Sequence, residues 1–146
     1  MNAIELLKKE HDDIERELLE LETIMSEEQL NYPNLIHVLK TLFKLWEEHE
    51  IKEEKIFPIL KQEKIIIPVK TMLWEHSQLR PHRTSIITAL NSGNDSNIKT
   101  ALDKSGKIII ERLRAHIKSE DEILYTIALS ELTPEEINEM EKLASS

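Results

Sequence analysis

Six side chains interrupt the apolar stripes on which they lie: His11, His49, Glu53, His76, His116 and Glu120. Each takes a step of a helical repeat where leucine or isoleucine is expected. His49 and Glu53 are four residues apart, as are His116 and Glu120. That spacing puts both members of a pair on one helical face, with roughly 5–6 Å between their Cβ atoms. A carboxylate buried without compensation costs several kcal/mol, so something cationic must meet these groups. Imidazole and carboxylate without sulfur suit iron or manganese, and less exclusively zinc. Four histidines and two glutamates are too many for one ordinary centre but fit a pair of metals bridged by carboxylates. The competing readings are His–Glu pairing with no metal and, for any one histidine alone, an ordinary core residue.

Four helices must position these groups. The first is predicted over 3–25 behind an Asn2 cap, with Ile4, Leu7, Ile14, Leu18, Leu21 and Met25 as its stripe and His11 at the missing step. The second begins near Asn34, with Pro33 in its first turn. Its face reads Leu35, Leu39, Leu42, Trp46, His49, Glu53, Ile56, Leu60 in alternating steps of four and three, the signature of an α-helix. Pro58 is expected to kink or end it. KQEKIII connects to a third helix opening at Pro68, where Val69, Met72, Leu73, His76, Leu79, Arg83, Ile86, Ile87 and Leu90 face inward and Pro81 predicts a bend. NSGNDSN reads as a loop. The fourth helix starts near Asn97 and carries Leu102, Ile109, Leu113, His116, Glu120, Ile123 and Ile127. Thr133, Pro134 and Glu136 form a capping-box pattern for a short last helix. The expected fold is all-α: one domain over 1–146, an antiparallel up-down-up-down four-helix bundle with a short C-terminal helix. At about 1.5 Å per residue, the six polar residues then share one slab about two turns thick.

Composition narrows the function. The formal charge of −9 argues against nucleic acid, whose phosphates attract basic surfaces. No basic amphipathic segment suggests a membrane surface, and the apolar runs are far too short to span one. With no cysteine, disulfides and thiolate ligands are excluded. The N-terminus reads as an amphipathic helix rather than a signal peptide, so a cytoplasmic location is expected. Charge runs such as EEHEIKEEK read as solvated faces, Glu15 among such residues, while Trp46 and Trp74 are expected to pack beside the site.

Over about Ile4 to Ala128 the chain resembles the hemerythrin-like family, also called the HHE cation-binding domains. The resemblance is carried by His11 in KKEHDDIE, His49 and Glu53 in HEIKEEKIFPIL, His76 in WEHSQLR, and His116 with Glu120 in HIKSEDEILY. It implies a non-haem di-iron site with Glu53 and Glu120 bridging and the four histidines terminal. Oxygen-carrying hemerythrins have HxxxH on the third helix; here Arg80 stands at the second position. Either one iron keeps a position open for water, dioxygen, peroxide or nitric oxide, or Glu50 supplies the ligand. HExxE at Glu50 resembles the iron-sensing hemerythrin-like domain of an F-box ubiquitin-ligase subunit, against the plain reading of a residue at a helix seam. Arg80 is expected either to hydrogen-bond a bridging carboxylate or bound anion, or to extend outward. Asp121 competes with Glu120, which is preferred because four residues stay within about 40° of His116 and five swing to about 140°. His37 and His82 fall about 120° from His49 and His76 and read as ordinary histidines.

The expected function is a di-iron protein that binds or senses a small gaseous or peroxide ligand, or iron and redox state, with manganese or zinc as possible substitutes. The alternative is a di-iron enzyme that oxidises ferrous iron, reduces peroxide or repairs iron centres. A bundle serving only as a partner-binding module is the third reading, and it predicts no stoichiometric metal.

Overall fold

The computed structural model of the protein describes residues 2–60 and 68–145; the expected KQEKIII connector lies outside the described residues. The described residues hold no strand. The helices are α1 (Ala3–Met25), α2 (Tyr32–Leu60), α3 (Val69–Ser92), α4 (95–131) and α5 (Pro134–Ser145). None is long and apolar enough to cross a membrane, among the described residues.

Local chemistry sets the ends. Asn2 and Glu5 form a reciprocal capping box on α1: the Glu5 N–H donates to Asn2 Oδ1 at 2.9 Å and the Asn2 N–H to Glu5 Oε2 at 3.2 Å. Thr133 and Glu136 do the same for α5, with Thr133 N–H to Glu136 Oε1 at 2.9 Å and Glu136 N–H to Thr133 Oγ1 at 3.2 Å. The NSGNDSN loop is shorter than expected. Gly93 turns left-handed (φ 63°) to stop α3, and Asn94 caps Asn97 at once, so α4 begins at Asp95 rather than near Asn97. α2 starts two residues before Asn34 and runs through Pro58 to Leu60, while α3 passes through Pro81 without ending.

α4 is a helix with two π-turns, Leu102–Gly106 and Glu120–Leu124. In each, a backbone N–H reaches the carbonyl five residues back: Lys107 to Leu102, Tyr125 to Glu120. A π-turn absorbs one extra residue and rotates everything after it. The second opens on one of the six polar residues.

α1 packs on α2, α2 on α3, α3 on α4 and α4 on α1, while α5 lies on α1 and α2. The interior is split in two. One apolar cluster joins Ile14, Leu18 and Leu21 to Leu35, Leu39 and Trp46, with Ile86 and Ile109. The other joins Ile4 and Leu7 to Ile56 and Leu60, with Met72, Leu124 and Tyr125. Along α1 to α4 the six polar residues fall at the junction of these clusters. Trp46 is buried in the first, with the Arg83 guanidinium 4.6 Å above its ring. Trp74 corrects the expectation, being 61% exposed. It lies two residues before His76, about 200° round the helix, and so faces away from the site.

Candidate metal centre

Burial of the six is nearly complete: His11 2%, His49 4%, Glu53 0%, His76 1%, His116 4% and Glu120 0% exposed. His11 Nε2 lies 2.9 Å from His49 Nε2 and 3.0 Å from Glu120 Oε1. The same Glu120 oxygen is 3.3 Å from His116 Nε2. Glu53 Oε1 is 3.3 Å from His49 Nε2 and 3.4 Å from His76 Nε2. Two overlapping groups result, His11–His49–Glu120 and Glu53–His76–His116–Glu120, with the ligand atoms of each within 4.8 Å of one another. Glu120 belongs to both, and Glu53 reaches a histidine in each.

The outward nitrogens of the histidines meet a second set of acids. His11 Nδ1 is 2.8 Å from Asp121 Oδ1, His49 Nδ1 is 3.0 Å from Glu10 Oε1, and His116 Nδ1 is 2.5 Å from Glu75 Oε2. His76 Nδ1 approaches Glu54 Oε1 at 3.5 Å, too far for a good hydrogen bond. The pattern is a ring with one loose link: α1 props the histidine of α2, α3 that of α4 and α4 that of α1, while α2 only approaches that of α3. An ionised carboxylate only accepts, so the bonded Nδ1 atoms carry the protons and the Nε2 lone pairs point inward. Such partners fix the tautomer and raise the basicity of a ligating imidazole.

This donor set fits a cation. Two Nε2 lone pairs cannot face each other at 2.9 Å unless a positive charge lies between them. Glu53 Oε1, His76 Nε2, His116 Nε2 and Glu120 Oε2 are all buried without a hydrogen-bond partner among the described residues, a state that costs about 1–3 kcal/mol per neutral group and more per charge. Protons are the substitute when no metal is bound. Burial opposes charge on His116, but Glu120, Glu53 and Glu75 override it and raise its pKa to about 9. Burial likewise opposes charge on His49, yet Glu53, Glu10 and Glu120 push it well above the ordinary histidine value. His11 and His76 also rise, against burial, through Asp121 with Glu120 and through Glu53 respectively. Burial would lift the Glu120 carboxyl; hydrogen bonding to Glu53, His11, His116 and His49 instead holds it well below the usual carboxylate range.

Glu50 is 3% exposed but joins neither group. The Arg80 Nε–H donates to Glu50 Oε2 at 3.1 Å, and Arg80 Nη2–H to Glu54 Oε1 at 2.6 Å. Asp121 is placed behind His11 rather than among the inward-facing oxygens. His37 is exposed, His82 meets Ser105 Oγ at 3.0 Å, and Glu15 pairs with Arg114 at 2.8 Å. A cavity of about 280 Å³ has His116, Glu75, Gln78 and Arg112 in its wall.

Sequence reasoning missed Tyr125. Its hydroxyl donates to Glu53 Oε2 at 2.8 Å, lies 3.5 Å from His49 Nε2, and its ring stacks on His11 with centroids 5.5 Å apart. Phe57 takes the matching place on the other side, stacked on His76 at 5.9 Å. The signal was the aromatic residue that follows each His–Glu pair. The four outer acids had one too, since Glu10, Glu54, Glu75 and Asp121 each adjoin one of the six.

The family model described as the hemerythrin HHE cation binding domain matches residues 2–128. The chain belongs to the hemerythrin HHE family. No curated protein and no solved structure matches it. The family membership makes this hemerythrin domain a cation-binding protein, with iron the metal typical of the family, and the buried His–Glu cluster supplies the matching donors.

Proposed function

We propose that this hemerythrin domain holds two irons between the helices of an antiparallel up-down-up-down bundle and uses them to bind or sense a small ligand: dioxygen, nitric oxide or a peroxide. His11 and His49 would hold one metal and His76 and His116 the other, with Glu53 and Glu120 shared between them. The observation that carries this reading is the sharing of the carboxylates, since Glu120 lies in both donor groups and one Glu53 oxygen sits 3.3 Å from His49 and 3.4 Å from His76. The ring of outer acids supports the helix directions. It uses the residue one step back on α1 and α3 and one step forward on α2 and α4, which rotate the same way around a bundle only when successive helices alternate in direction.

A bound di-iron pair supplies reversible one-electron chemistry and electrophilic sites for small ligands. The chain does the rest. Two apolar clusters exclude water from above and below, Glu10, Glu75 and Asp121 hold three of the imidazoles in one tautomer, and the Tyr125 O–H donates to Glu53 and so fixes that carboxylate beside His49. The cavity that has His116 in its wall gives a diatomic or triatomic molecule room to approach.

The test is anaerobic loading with ferrous iron followed by metal analysis and exposure to oxygen or nitric oxide. Two irons per chain and new charge-transfer bands in the visible or near-ultraviolet are expected. Metal below one equivalent, or two irons with no spectral response to any of these ligands, overturns the proposal.

A further inference from the structure

The ring of outer acids has one loose link, and a guanidinium sits on it. Three of the four contacts from Nδ1 to an acid are 3.0 Å or shorter, whereas His76 to Glu54 is 3.5 Å. Arg80 takes the same Glu54 oxygen at 2.6 Å and Glu50 at 3.1 Å. Both nitrogens of His76 and the second oxygen of Glu50 are left buried without a hydrogen-bond partner among the described residues. A surface ion pair does not produce this pattern. Arg80 and Glu54 are partly exposed, at 42% and 35%, but Glu50 is held in the interior at 4% side-chain exposure. A carboxylate is confined there only where something makes it tolerable. Among the described residues that is one hydrogen bond, to one of its two oxygens.

We propose that Arg80 is a positioning residue that keeps Glu50 in reserve beside the His76/His116 half of the centre, so that a small exogenous ligand rather than Glu50 completes that half. The inference rests on the metal reading above. Arg80 lies one turn after His76 on α3 and holds Glu50 there at 3.1 Å, and the second Glu50 oxygen has no hydrogen-bond partner to give up among the described residues. Arg80 is the charge that opposes its approach to a cation. Without the guanidinium, the stable place for the Glu50 carboxylate is the metal pair, and Glu54 is free to close on His76. Competition of this kind is a population effect: whatever stabilises the Glu50-bound arrangement lowers the apparent affinity of the external ligand by the same factor.

The experiment uses the full chain loaded with iron and oxidised, with sodium azide as the probe, titrated by visible absorption. Iron content is measured on each variant. Arg80→Met is expected to retain two irons and to bind azide at least about tenfold more weakly, a difference of about 1.4 kcal/mol. Arg80→Met with Glu50→Gln is expected to recover the wild-type affinity, because the competing ligand is gone. Arg80→Lys, which keeps the charge but cannot hold both carboxylates in one fork, falls between. Unchanged azide affinity in Arg80→Met, or a double variant as weak as the single, overturns the role of Arg80 while leaving the metal reading in place. A wild-type chain that takes up no iron overturns both.

Discussion

Stripped of metal, the protein should lose stability as pH rises through neutrality, and the loss should be largest where the metal-bound form is gaining. His116 titrates near 6.5 when unfolded and about 9 in the fold. Its folded value is raised, so its contribution is complete below pH 6.5 and disappears as pH climbs through 9. The interval of about 2.5 pH units, at about 1.4 kcal/mol each, corresponds to roughly 3 kcal/mol from this residue. His11, His49 and His76 are raised as well and act with the same sign. For a chain of this size 1 kcal/mol moves the melting temperature by about 2–4 °C, so the chelated protein should melt about 6–12 °C lower at pH 9 than at pH 6.5. Metal binding requires the imidazoles without their inward protons, so stabilisation by iron grows over the same interval. Circular dichroism melts with and without chelator, at half-unit steps between pH 6 and 9.5, measure both curves. The reasoning fails if the chelated protein melts at constant or rising temperature across that window.

Other outcomes follow from single contacts. Glu120→Gln should drop iron from about two per chain to one or fewer by elemental analysis, because both donor groups use that carboxylate. Glu75→Gln, which weakens the partner of His116 but leaves the inward-facing donors in place, should lower metal affinity about 10- to 100-fold in competition with a chromophoric chelator. Tyr125→Phe leaves Glu53 Oε2 without its donor and should cost about 1–3 kcal/mol in denaturant unfolding of the chelated protein. Leu39→Ala, in the cluster away from Tyr125, should cost about 2–5 kcal/mol while iron stoichiometry stays unchanged.

The helices and the convergence of the six residues were legible because both follow from one rule, a helical repeat of three and four with a polar residue at a core step. His11 between Leu7 and Ile14 shows the limit of that rule: it tells that the side chain faces inward, not what stands behind it. The outer ring depends on which seam an adjacent acid faces, and that is decided by neighbouring helices. The π-turn at Glu120–Leu124 was hidden for the same reason. Nine residues after His116, Tyr125 would point about 180° away on a straight α-helix, and the extra residue in the π-turn brings it back to about the angle Phe57 keeps from His49. The start of α4 was misplaced because Asn94 and Asn97 are both good caps by type, and only Gly93 ending α3 selects the first. Trp74 was expected to pack beside the site, against its own angle from His76.

The ring has a consequence for how the protein is made. His11, made before the other three histidines of the cluster, waits for a partner at position 121, more than a hundred residues later. Until α4 docks, none of the shorter nascent intermediates has a complete set of oriented imidazoles, however many helices have already formed. A growing chain therefore offers passing metal only loose, untuned ligands, and tight capture is postponed until α4 has been made and docked, when the walls that enclose the His–Glu cluster are also in place.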